Sequence, residues 1–377
     1  MIAAYSVAPA GTTVRRPSLH PGRDRGTPVL RRPKLALPRL AGALAVYVAF
    51  VVYLYRPYFE GFQSWQWLLP TNVLLAAVGC FVVSRRWVAG FTGSLLAGAV
   101  YGFGPFMLGL ARYHPTAGLL GACIPWLFAP AALWGRRRHA LVGAALSLLP
   151  FLGVVLFFRV SALEDYRFFA APIQSQPRPV DLVGFVAPLV VADRGAMLAS
   201  LYHAPVAALV LGAAMMVKAR RYGLLVMAAL GLALALCKSY LGPAAVVWLG
   251  VSPILWLSIP MVCLAVLAGL GMQGLLDAGH ADRKWILAVA ICLGALAIVI
   301  LLLAAKYFQV IFGLADGYAK LFVEAAKMYL MAALAVGIVF AIARQNLRLQ
   351  PLRWAVLCAA LGFDVFLGAR YIVDKIL

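Results

Sequence analysis

The side chains able to do chemistry in this chain are few. They are Glu60, the adjacent pair Glu164-Asp165, the cations Arg112, His114, Arg178 and Lys238, and Asp364. A carboxylate such as Glu60 can take the proton from a hydroxyl as it attacks, or stand simply as a solvated interfacial acid. Cations stabilise charge developing on a leaving phosphate; at a membrane surface they also snorkel to water without any ligand. Arg112 and His114 follow Gly104-Pro105, where a broken helix can aim backbone groups at an anion. Glu164-Asp165 offers oxygen ligands of the kind a divalent cation prefers, but two adjacent carboxylates alone do not define a metal site, and no other cofactor is indicated. Asp364 lies in the apolar phrase Gly362-Phe363-Asp364-Val365-Phe366. An ionisable group at such depth is costly, and it either serves function or pairs with a neighbouring helix.

Other chemistries lack their signatures. The five histidines are dispersed, with no H-E-x-x-H. No phosphate-binding P-loop or dinucleotide fingerprint occurs in a strand–helix setting. The six cysteines form no C-x-x-C and sit in or beside apolar runs, which predicts packing residues rather than a disulfide framework or zinc site. The net charge of +21 does not predict nucleic-acid binding, because the basic residues fall in short clusters between apolar runs. Affinity for anionic headgroups is the simpler consequence.

Those apolar runs are the elements that must position the candidates. With 64% apolar residues, the chain reads as an all-α polytopic membrane bundle of about eleven spans. The runs are 40–56, 69–84, 87–104, 116–134, 140–158, 202–217, 222–237, 253–276, 285–304, 325–343 and 354–371. Runs of this length cross a hydrocarbon core about 30 Å thick as helices, whose backbone groups pair internally. Residues 1–38, rich in Arg and Pro, read as a basic flexible tail, and 39–377 as one multi-spanning domain. Arg15-Arg16 is followed by His20-Pro21-Gly22-Arg23-Asp24-Arg25 rather than an apolar core, so neither a twin-arginine signal nor a cleaved signal peptide is expected.

Placing the tail in the cytoplasm puts Arg85-Arg86, Arg136-Arg137-Arg138, Lys218 with Arg220-Arg221, Arg283-Lys284, and Arg344, Arg348 and Arg353 in cytoplasmic loops. That arrangement follows the positive-inside rule. The outer loops are then 57–68, 104–115, 159–201, 238–252 and 305–324, with 104–115 also readable as a broken half-helix. Gly98-x-x-x-Gly102 predicts close helix packing.

The order of several phrases carries a resemblance. Asn72-Val73-Leu74-Leu75-Ala76-Ala77-Val78-Gly79 is followed by Gly98-Ala99-Val100-Tyr101-Gly102-Phe103-Gly104-Pro105-Phe106, then Arg112-Tyr113-His114, then Pro125-Trp126-Leu127 and Pro130. Further on stand Val180-Asp181-Leu182-Val183-Gly184-Phe185-Val186-Ala187-Pro188 and a helix phrase, Val262 to Met272, rich in Leu, Ala and Gly. Over roughly residues 40 to 276 this resembles the bacterial YfhO-like proteins. They fall within the wider GT-C superfamily of multi-spanning glycosyltransferases that use polyprenyl-phosphate sugars.

The resemblance implies sugar transfer at the outer face of the cytoplasmic (inner) membrane, with membrane lipids and a polyprenyl-phosphate sugar as partners. The family places its catalytic carboxylate on the first outer loop. Here that loop is 57–68 and Glu60 is its only acid, which makes Glu60 the expected base. Arg112 and His114 match the family's Gly-His phrase and are the expected donor-phosphate contacts, with Arg178 and Lys238 as further cations. The rival class is a non-catalytic membrane protein: a transporter of lipid-linked sugar or small solute, or an accessory subunit bound to membrane protein partners.

Overall fold

The computed structural model describes residues 37–62, 64–88, 90–113, 115–133, 212–214, 216–217, 222–236, 256–279, 282–310, 316–344 and 349–376. The described residues contain no strand. The helices are α1 (Leu37–Tyr55), α2 (Leu68–Ser84), α3 (Phe91–Gly102), α4 (Pro105–Tyr113), α5 (Pro115–Leu133), α6 (Gly223–Leu236), α7 (Ser258–Asp277), α8 (Arg283–Val310), α9 (Asp316–Arg344) and α10 (Gln350–Ile376). Proline occupies the first or second position of α1, α4, α5 and α10. Its fixed φ suits a helix start, and its missing N–H falls where no intrahelical partner exists.

Among the described residues, six stretches are long and apolar enough to cross a membrane: Leu37–Gly61, Phe91–Leu110, Ser258–Asp277, Arg283–Ala305, Phe322–Arg344 and Gln350–Asp374. Leu68–Ser84, Gly118–Ala129 and Gly223–Ala233 are shorter apolar helices. Of the eleven expected runs, 140–158 lies outside the described residues, and 202–217 does so except for a few positions.

The centre of the bundle is α3. In the span that begins with it, 89% of the window is buried, against 22% for α8. One face of α3 lies on α2. A Cβ at Gly98 would come within 2.5 Å of the Ala77 carbonyl oxygen and collide with the Tyr47 hydroxyl; one at Gly102 would stand 2.6 Å from the Ala77 Cβ. The expected Gly98-x-x-x-Gly102 packing face is therefore real, and its partner is the backbone of α2. The opposite face meets α7, where a Cβ at Gly93 would stand 2.7 Å from the Gly269 carbonyl oxygen and one at Gly269 would strike the Gly93 carbonyl. Backbones approach this closely only where side chains are absent, a common solution between helices in lipid.

Polar side chains lock the same centre. The Tyr47 hydroxyl donates to the Leu95 carbonyl at 2.7 Å, and the Tyr101 hydroxyl donates to the Gly121 carbonyl at 2.7 Å. Trp126 Nε1 donates to the Leu75 carbonyl at 3.1 Å, seated against Gly79. Tyr101→Phe deletes a single oxygen and is expected to cost about 1 kcal/mol. The check is a modest fall in the thermal midpoint of the detergent-solubilised chain. An unchanged midpoint would show that Gly121 is satisfied without Tyr101.

Two expected outer loops hold helix. Residues 104–115 follow the half-helix reading rather than the loop one: α4 occupies most of the stretch, with Phe106, Met107, Leu108 and Leu110 buried. Pro105 and Pro115 break the helical run at both ends, but the sequence between them is apolar enough to pack against α5 and α10. Most of 305–324 is helical: α8 continues to Val310 and α9 begins at Asp316. Alanines, with Glu324 and Lys327 paired at 2.6 Å one turn apart, favour helix beyond the purely apolar run.

Candidate functional site

After α1, Arg56-Pro57 starts a 3-10 turn over Arg56–Gly61, and Phe62 then adopts an extended conformation. A second 3-10 turn, Ser64–Trp67, leads into α2. Glu60 sits exposed on the first turn. Around it the aromatic residues pack on one another. Phe59 stacks on Trp67 at 5.3 Å, and Phe62 meets both rings edge-on at 5.5 and 5.4 Å. Such rings suit the headgroup boundary, where an apolar body and a polar rim are both accommodated.

The turn is tied to the far end of the chain. The Tyr58 hydroxyl donates to Asp374 Oδ1 at 2.6 Å, and Arg370 Nε pairs with Asp374 Oδ2 at 3.5 Å. An exposed pair of this kind adds little stability, so its effect is mainly positional: one acid, one phenol and one guanidinium gather beside the turn that carries Glu60. Sequence reasoning gave no role to Tyr58, Arg370 or Asp374. The available signal was the topology itself, which sends the ends of α1 and α10 to the same side.

The remaining candidates are placed less fully. Arg112 lies in the last turn of α4, and its side chain is not described. His114, Arg178, Lys238, Glu164 and Asp165 lie outside the described residues. Asp364 is partly buried in α10, close enough to Tyr329 of α9 for the two to interact electrostatically. It is about 15 Å of helix from Asp374 and so stands apart from the Glu60 turn. Among the described residues, no three His, Cys, Asp or Glu side chains come together as a metal site.

At the opposite end, the start of α3, the end of α7 and the start of α10 converge. Buried Arg85 donates through Nη1 to the Gly90 carbonyl at 2.9 Å and reaches Ser94 Oγ at 3.5 Å. Burial, and secondly the nearby Arg39 charge, hold its guanidinium below the ordinary arginine range. Arg353 donates to the Ala278 carbonyl at 2.5 Å just past the end of α7, where a helix dipole favours a cation. Trp354 Nε1 donates to Thr92 Oγ1 at 2.8 Å. The basic clusters expected on one side of the membrane at 85–86, 283–284 and 353 thus share one end of the bundle. Glu60 and Asp374 share the other.

No family model, no curated protein and no solved structure matches this chain.

Proposed function

We propose that the chain is a multi-spanning protein of the cytoplasmic membrane, with its N-terminus in the cytoplasm, that transfers a sugar from a polyprenyl-phosphate donor at the outer face. The supporting observation is the exposed Glu60 on the aromatic-anchored turn, beside the phenol and guanidinium held by Asp374. In this reading Glu60 takes the proton of the acceptor hydroxyl as the oxygen attacks the anomeric carbon. Cations on the same side, Arg112 and His114 among them, stabilise the departing phosphate. The lipid tail stays in the bilayer throughout.

Orientation has its own test. A reporter fused after Leu377 is expected to behave as periplasmic: a phosphatase fusion active, a fluorescent-protein fusion dark. A bright fluorescent fusion would reverse the assignment. Native mass spectrometry of the gently solubilised chain tests the ligand, with a polyprenyl phosphate or its sugar conjugate expected among the co-purified lipids. Only bulk phospholipid, under conditions that retain polyprenyl phosphate on a control enzyme, would replace the transferase reading with the accessory-subunit one.

A further inference from the structure

We propose that the end of the bundle carrying Arg85 is a binding site for anionic phospholipid headgroups of the adjacent leaflet. Positive side chains outnumber negative ones among the described residues at this end. Seven cations gather there: Arg39, Arg85, Arg86, Arg283, Lys284, Arg344 and Arg353. Asp277 and Asp282 are the carboxylates there, and each already accepts a hydrogen bond. Gln273 Nε2 donates to Asp277 at 2.7 Å, and the Gly279 N–H donates to Asp282 at 3.1 Å. Two acids cannot balance seven cations whatever local pairs form.

The geometry concentrates that excess rather than dispersing it. Arg39, on the first turn of α1, lies close enough to Arg85 for the two charges to repel. Arg353 is 8% exposed, and its Nε is buried without a hydrogen-bond partner among the described residues. Charge-assisted bonds from guanidinium groups to phosphate are strong, and the exposed Arg39 and Arg86 stand at the same end as the buried Arg85 and Arg353. The surrounding surface suits a lipid rather than a free ion. Arg86 lies 5.6 Å from the centre of the Trp87 ring, while Trp285 and Trp354 are 71% and 49% exposed at the same height. Indoles at this level mark the headgroup boundary, and basic pockets between helices there take anionic headgroups.

The test uses the full chain in nanodiscs of phosphatidylcholine containing a minor fraction of phosphatidylglycerol, with retained lipids counted by native mass spectrometry on release. The wild type is expected to keep phosphatidylglycerol well above its share of the disc. Arg39 and Arg86 are both exposed, so the double variant R39Q/R86Q should stay monodisperse. Each lost cation near the surface is worth about five-fold in affinity, so its enrichment should fall at least about ten-fold. The matched variant R56Q/R370Q removes two exposed cations from the opposite end and should keep the enrichment. Retention in proportion to disc composition, undiminished enrichment in R39Q/R86Q, or an equal loss in R56Q/R370Q would each overturn the assignment.

Discussion

Gly98→Leu is expected to abolish recovery of folded protein. The new Cβ would stand 2.5 Å from the Ala77 carbonyl oxygen, a backbone atom that cannot rotate away, and would also displace the Tyr47 hydroxyl. Ordinary overpacking of a core costs about 1–3 kcal/mol. Here α3 must part from α2, which also breaks the Tyr47–Leu95 hydrogen bond and loosens the face against α7. The loss then approaches the whole stability of a typical domain, about 5–15 kcal/mol. The control lies in the same chain: nothing stands within 4 Å of a Cβ at Gly294. Gly294→Leu should therefore leave the monodisperse fraction and thermal midpoint near wild type, since it faces open space and gains helix propensity. Fluorescence-detected size exclusion in mild detergent separates the two cases. Equal recovery of both variants would mean that α3 and α2 are not in backbone contact.

If the chain carries out the proposed sugar transfer with Glu60 as its base, Glu60→Gln is expected to lower that transfer about 10²- to 10⁴-fold, the usual contribution of a positioned general base. Glutamine keeps the shape of the side chain but cannot accept the proton. Because Glu60 is exposed, the substitution should leave the thermal midpoint unchanged, and this distinguishes lost chemistry from lost folding. Turnover of a short-chain polyprenyl-phosphate hexose by the solubilised protein is the readout. Comparable turnover by Glu60→Gln and wild type would remove this residue from the mechanism. Tyr58→Phe gives a graded companion result: freeing the turn from Asp374 should reduce turnover by a smaller factor, through position rather than proton transfer.

Much of this architecture was legible from apolar run length. The expected runs 69–84, 116–134 and 222–237 lie within about one residue at each end of α2, α5 and α6. Hydropathy succeeds here because a helix in lipid must pair its backbone internally. It leaves α4 open between loop and half-helix, because two prolines mimic a loop although the residues between them are buried. It fails at α8 and α9, where helix propensity carries the elements past the hydrocarbon. Gly98 and Gly102 were readable because both members of the motif sit on one helix. Gly93 and Gly269 were not, since each is a single glycine whose partner is on a distant helix. The same reason hid Tyr58 and Asp374, 316 positions apart, while Glu60 stood out as the only acid of its loop.

The central placement of α3 also sets a timetable for biogenesis. Its neighbour α2 emerges from the ribosome just before it, but the helix that covers its Gly93 face, α7, is made much later. Until residues up to Asp277 have entered the bilayer, the early spans hold a glycine-lined seam without the α7 backbone that covers it in the finished fold. Nascent chains halted before Ser258 should be stalled assembly intermediates that quality-control proteases clear. Chains halted after Asp277 should persist longer, because the peripheral α8 and α9 are not needed to close the seam.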